Sequence, residues 1–354
     1  MNTIGHKLKL SVFGESHGPN VGATIAGLPP GIKIDMDFIE NEIDKRRAKS
    51  SISTPRRETD KPKFISGIFN EYTTGMPVTV IFENKDARSK DYSKIKDIPR
   101  PSHGDYPAHI KYKGFEDYRG GGHFSGRNTT GIVALGAICK LALKEKNIDV
   151  VTHIKSIGDI EDKSLLDVEI NNDIIEKLDS DFPVLNDVIK DKMIDEIELS
   201  RNVQDSIGGQ VEIAILNVPI GVGDPYFERL NSYLAQLAFS LQGVKAMEVG
   251  VGFKSSKMVG SQYNDQMEIR DGKVHFLTNN AGGINGGLSN GMPIIINTAI
   301  RPTASIGKAQ KSINMKTMEN AETFIGGRHD PCIVHRASHG LNALISFGIL
   351  DMLQ

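Results

Sequence analysis

A glycine-rich run, Arg119-Gly-Gly-Gly-His-Phe-Ser-Gly-Arg127, leads straight into an apolar stretch at residues 128–143, and that junction limits what the surrounding chain can build. Without a Cβ, glycine lets backbone N–H groups approach a ligand closely. The apolar stretch reads as a helix whose N-terminus faces the same space. Helix N-termini attract phosphate and carboxylate through unpaired N–H groups and the macrodipole. Arg119 and Arg127 add permanent charge in a fork suited to oxyanions. The run is no P-loop, because Arg127-Asn128 stands where Lys and Ser or Thr are needed. It also fails the dinucleotide fingerprint, since Ser125 replaces the third glycine and no clear strand precedes it. A tight structural turn is the competing reading, and the loop alone does not name a ligand.

Patterning elsewhere predicts strands at 9–13, 24–26, 77–82, 210–218, 249–253, 274–277 and 293–300. Helices are expected at 37–47, starting at an Asp cap, at 225–241 with Phe227, Leu230, Leu234, Leu237 and Leu241 as core face, and at 337–353. The acidic stretch 161–205 carries Ile189, Met193, Ile194 and Ile197 at helical spacing and reads as solvated helices with one buried stripe. Residues 84–102 form a long polar loop. Strands and helices mix without a βαβα rhythm, which disfavours a doubly wound parallel sheet and favours an α+β sandwich. No composition break divides the 354 residues, so one large unit, 1–354, is expected.

Composition excludes several classes. A net charge of −2 gives no global attraction to nucleic acid or anionic membrane, and the absence of Trp removes one stacking platform. No apolar run approaches the roughly 18–20 residues of a membrane span. The first residues lack a signal-peptide pattern, and Cys139 and Cys332 lie far apart without metal-ligand spacing, which together point to a cytoplasmic chain with no metal site.

Two histidines sit in rigid turns beside hydroxyl or carboxylate groups: His17 in Gly14-Glu-Ser-His-Gly18 and His103 in Arg100-Pro-Ser-His-Gly-Asp105. They are candidates for acid–base work near neutral pH. His6, His109, His153 and His275 lack such settings and read as structural or surface. Gly326-Gly-Arg-His-Asp-Pro-Cys332 sets Asp330 near Arg328, a carboxylate able to act as a base. Arg46, Arg47, Arg56, Arg57, Arg100, Arg119, Arg127, Arg301 and Arg328 mostly adjoin glycine, proline or serine, a distribution suited to a pocket for a polyanion.

In this order, with Asp91-Tyr-Ser, Asp205-Ser-Ile-Gly-Gly209, Ala281-Gly-Gly-Ile and Arg301-Pro-Thr-Ala-Ser305, the motifs closely resemble the chorismate synthase family across nearly the whole chain. The resemblance implies an α+β, β-α-β sandwich of mixed and antiparallel sheets. It implies anti-1,4 elimination of phosphate from 5-enolpyruvylshikimate 3-phosphate with reduced FMN and no net redox change, in a homotetramer. NADPH enters only as a possible reductant. Catalytic roles fall by resemblance to His17, His103 and Asp330. FMN would be held by His123, Phe124, Ser125, Gln242, Gly243, Gly286, Arg301, Pro302, Thr303, Ala304, Ser305 and Arg328. Substrate would meet Ser16, Arg46, Arg127 and Arg328.

Overall fold

The computed structural model describes residues 2–48, 52–53, 60–84, 96–324 and 330–354. Two five-stranded antiparallel sheets enclose its main core. The first runs Thr3–Ile4, Lys9–Gly14, Asn20–Ala26, Val78–Glu83, Lys63–Ser66. The second runs Val244–Val249, Ile294–Ile300, Gly209–Leu216, Asp149–Ile157, Ile160–Glu161. The helices are α1 (Met36–Arg46), α2 (Asp105–Tyr112), α3 (Thr129–Lys144), α4 (Asn172–Leu178), α5 (Asp187–Asn202), α6 (Leu230–Ser240), α7 (Gly260–Tyr263) and α8 (Val334–Met352).

Helices α3 and α8 pack on each other between the sheets, and glycines set how close the layers come. A Cβ added at Gly131 of α3 would lie 2.9 Å from Ala23 in the first sheet. One added at Gly136 would lie 2.4 Å from the Ala343 Cβ of α8. On its far side α8 meets the second sheet, where Asn342 Nδ2 donates to Val150 O at 2.9 Å and Thr152 Oγ1 at 2.7 Å. Alternation along the strands directs Val21, Ala23 and Ile25 of one sheet, and Val211, Ile213 and Ile215 of the other, into this one core. The sandwich expected from the sequence is therefore the one observed, with the helical pair as its filling. The second sheet also buries its outer face, where Val151, Ala214, Leu216 and Ile295 meet Leu165 and Leu178.

Some elements differ from expectation. The α1 cap is Asp35, whose carboxylate accepts from Phe38 N at 3.0 Å, because Asp37 already lies inside the first turn. Phe227 is not a core residue of α6: it is 95% exposed and precedes the helix, which begins only after Arg229. The strand expected at 249–253 is Val244–Val249; Gly250 and Gly252, at φ 59° and 51°, turn the chain away and leave Phe253 exposed. In α5 only Met193 and Ile197 are fully buried. The last helix begins three residues early, because His335 is itself buried there and was not readable as core.

Candidate active site

The turn before strand Asn20–Ala26 is held from three sides. Gly18 N donates to Glu15 O at 2.9 Å, Asn84 Nδ2 donates to Glu15 O and Gly18 O at 3.1 and 2.8 Å, and Ser16 N donates to Gly122 O at 3.1 Å. That clamp presses buried Ser16 and His17 onto the glycine run. A Cβ at Gly120 would sit 2.5 Å from His17 Nε2 and 3.1 Å from Ser16 Oγ, so only glycine fits at this left-handed position.

His103 reaches the next glycine. Its Nε2 lies 3.7 Å from where a Gly121 Cβ would be. The His103 Nδ1 lies 2.6 Å from Asp105 Oδ1, and Arg100 grips the same carboxylate through Nε and Nη2 at 2.7 and 2.8 Å. Burial disfavours charge on Asp105, yet hydrogen bonds from Arg100 and His103 overcome it and hold the carboxyl below its ordinary value. His123 and Phe124 follow, ring centroids 4.5 Å apart, with Phe124 against Gly104. Arg100, Asp105, Tyr118, Gly121, His123 and Met315 are among the residues lining a cleft of about 40 Å³. Within it His123 Nε2 is buried without a partner.

Beneath lies a guanidinium cluster. Arg127, 6% exposed, donates from Nε to Asn84 Oδ1 at 2.9 Å, from Nη2 to Glu83 O at 3.3 Å, and from Nη1 to Asp60. Arg46 Nη1 lies 3.8 Å from the same Asp60, while its Nε and Nη2 donate to Thr129 Oγ1 at 2.6 Å and Gly126 O at 2.5 Å. Arg336 Nη1 donates to Asp330 Oδ2 at 2.8 Å, and its Nε to Arg46 O at 3.2 Å. Burial, with Arg336 and then Arg127 close by, brings Arg46 down to about 9 despite Asp60 and Asp330. Among the described residues, three guanidiniums here face two carboxylates, a surplus of positive charge.

The turn at residues 301–305 closes the ring. Arg301 N donates to Gly243 O at 2.9 Å, Thr303 Oγ1 to Asp330 O at 2.9 Å, and Arg100 Nη1 to Ser305 Oγ at 3.1 Å. Hydrogen bonds thus connect Asp330 to both the His103 turn and the Arg46 cluster. His17, His103, Asp330, Ser16, Arg46, Arg127, His123–Ser125, Gly243 and residues 301–305 converge on this region. Gln242 adjoins it but is exposed. Gly286 is not brought in: Leu230 N donates to Gly287 O, which puts it at the other end of the 11-residue α6, about 16 Å of helix from Gln242. Arg119 spends its fork on Asp117 at 2.8 and 2.7 Å rather than facing the cleft. Arg328, Arg56, Arg57 and the Asp91-Tyr-Ser motif lie outside the described residues. Sequence reasoning missed Asp60, Asn84, Asp105 and Arg336; of these only Asp105, two residues after His103, carried a local signal.

The sequence model of the family described as chorismate synthase matches residues 8–354. The chain belongs to the chorismate synthase family. It is 46% identical to the chorismate synthase of Pyrococcus abyssi (strain GE5 / Orsay), over 99% of this chain and 96% of that one. It is 45% identical to that of Methanocaldococcus jannaschii, over 100% of this chain and 96% of the relative. A crystal structure of chorismate synthase covers 99% of this chain and 92% of its own with a TM-score of 0.74; at 24% identity that likeness speaks for the fold. Chorismate synthase is a lyase.

Proposed function

We propose that this chorismate synthase family member forms chorismate from 5-enolpyruvylshikimate 3-phosphate by anti-1,4 elimination of phosphate, with reduced FMN as cofactor. One observation carries the reading: His17 and His103 face consecutive glycines above a buried guanidinium cluster with surplus positive charge. The substrate bears a phosphate and two carboxylates, about four negative charges, which supply the counter-charge that Asp60 and Asp330 leave short. The elimination breaks a C–O bond, whose electron pair leaves on phosphate, and removes a ring proton. His103 is the group to donate to the departing phosphate oxygen. His17 acts as acid towards the flavin, and Asp330, ion-paired to Arg336, relays the ring proton.

The residues fit a flavin phosphate. Arg301 is partly buried, donates from Nη1 to Pro302 O at 2.6 Å, and pairs with no carboxylate among the described residues; the orphaned His123 Nε2 awaits an acceptor or donor. His123, Phe124, Ser125, Gly243 and residues 301–305 would hold the group, and Arg328 would join them. When bound, reduced FMN supplies electron density to the breaking C–O bond and is not consumed. NADPH would serve only to reduce it. Exposed Phe253, Ile269 and Val274 support assembly, read as a homotetramer. The two free, buried cysteines suit a cytoplasmic setting; among the described residues no helix is long and apolar enough to cross a membrane.

Anaerobic release of phosphate with reduced FMN tests the proposal. Turnover is expected in wild type, with His17→Ala and Asp330→Ala each slower by roughly 10²–10⁴-fold and flavin binding retained. Flavin binding without phosphate release would leave a binding protein instead.

A further inference from the structure

We infer that Asp105 is the positioning residue of His103: it accepts the Nδ1–H and so fixes the tautomer whose Nε2 faces Gly121. The inference rests on the reading of His103 as the group that meets the leaving phosphate.

Two partners compete for the same ring nitrogen. Asp105 Oδ1 stands 2.6 Å from His103 Nδ1, and Arg100 Nη2 stands 3.0 Å from it. They demand opposite tautomers, because a carboxylate only accepts and a guanidinium only donates. Two bare lone pairs at 2.6 Å would repel, so a proton lies between Nδ1 and the carboxylate. The Arg100 Nη2 hydrogen then goes to Asp105 Oδ1, 2.8 Å away, where geometry already favours it. Arg100 thereby acts on the carboxylate and not on the ring.

The carboxylate itself is fixed from several sides. Arg100 supplies Nε, Nη2 and its backbone N, the last at 3.0 Å, and its remaining nitrogen anchors on Ser305 Oγ. Ser102 sits at φ 58°, a left-handed conformation uncommon for a residue other than glycine, in the turn closed by His103 N to Arg100 O at 3.2 Å. Such strain persists where surrounding bonds over-determine it. The imidazole edge left over, Nε2, points to Gly121. When the ring takes a second proton there, Asp105 faces an imidazolium and stabilises it; when the proton moves to phosphate oxygen, the ring returns to the same tautomer. An oriented His with a carboxylate behind it is a recurrent arrangement for proton transfer.

The test uses full-length protein with ¹⁵N-labelled histidine, whose ring spectra show which nitrogen carries the proton, with His103 assigned by its loss in His103→Gln. Wild type should show the neutral ring protonated at Nδ1. Asp105→Asn keeps the shape but lets a carboxamide N–H donate to Nδ1. It should shift the ring towards Nε2–H and lower kcat by roughly 10²–10⁴-fold, with KM changed less than about threefold. A wild-type ring protonated at Nε2 would overturn the inference even if the variant failed to fold. So would an Asp105→Asn enzyme with wild-type kcat while His103→Ala is inactive. Wild-type turnover in His103→Ala would instead sink the role given to His103, and the tautomer measurement would still decide what Asp105 does.

Discussion

Arg127 shows what a single residue in this site has to satisfy. Its three nitrogens serve Asn84, Glu83 and Asp60, so the side chain that reads in sequence as a ligand for substrate is also the main partner of a buried carboxylate. Arg127→Ala should therefore do two things. It leaves Asp60, 5% exposed, short of a partner, which costs about 3–5 kcal/mol when one member of a buried pair is removed, read as a drop in the urea midpoint. It also weakens substrate binding, read as a raised KM. Full stability would show that Arg46 alone can hold Asp60. The Asp60 contact joins residues 67 positions apart, and Arg336 reaches Arg46 across 290, so no local pattern announces either. The histidine turns were legible because glycine, proline and hydroxyl neighbours mark them locally. Cys332 stands two residues from Asp330 but is inert by burial, which pushes its thiol up to about 12. Native protein at pH 8 should resist iodoacetamide, and rapid labelling of Cys332 would mean that the segment opens.

At the scale of elements, the α3–α8 contact is the joint of the molecule. Gly136→Ala should gain helix propensity of about 1 kcal/mol, yet the new methyl meets the Ala343 Cβ at 2.4 Å, and overpacking typically costs about 1–3 kcal/mol. Net destabilisation in urea is expected, and a stabilised variant would show that the helices separate easily. Helix α8 also carries two buried neutral histidines. Burial, followed by nearby Arg336 and His339, brings His335 down to about 3, and burial brings His339 to about 4. A depressed folded-state value gives stability that is fully present above 6.5 and drains as pH falls towards 4 and 3, on the order of 1 kcal/mol per pH unit per group. His153 works the other way: despite burial, Asp162 and Glu212 raise it, so its contribution is present below 6.5 and lost at higher pH. Urea midpoints at pH 7.5 and 5 should converge in a His335→Gln, His339→Gln double variant, and an unchanged gap would place the sensitivity elsewhere. Helix α3 was read to within a residue because its apolar run is long and uninterrupted. Helix α6 was read five residues too long at its start, since an exposed Phe227 looks apolar in sequence whether or not anything covers it.

For the whole molecule, the sandwich depends on a closure that brings the two ends of the chain together. Asp351, on the last turn of α8 and 1% exposed, accepts backbone N–H bonds from His6 at 2.7 Å, Lys7 at 2.8 Å and Leu8 at 2.7 Å, and the Tyr233 hydroxyl at 2.5 Å. One carboxylate thus ties the start of the first sheet to α6 and α8, which line the second. Burial first, then Asp351 itself, raises the Tyr233 hydroxyl well above its ordinary value, so the phenol remains a donor throughout the accessible pH range. Removing the carboxylate leaves donors from two layers unsatisfied at once, and each buried unpaired group costs about 1–3 kcal/mol. Asp351→Ala should lose several times what a surface Asp→Ala loses, while Tyr233→Phe, which deletes one bond and keeps the ring beside His6, should lose only about 1 kcal/mol. Paired urea denaturations read the ratio. Because Asp351 lies on the last turn of α8, roughly 22 Å along the helix from Arg336, and its bonds among the described residues run to His6, Lys7, Leu8 and Tyr233, kcat of the folded fraction should stay near wild type in both. A large loss of kcat with stability intact would mean that closing the chain ends also sets the distance between the sheets at the site.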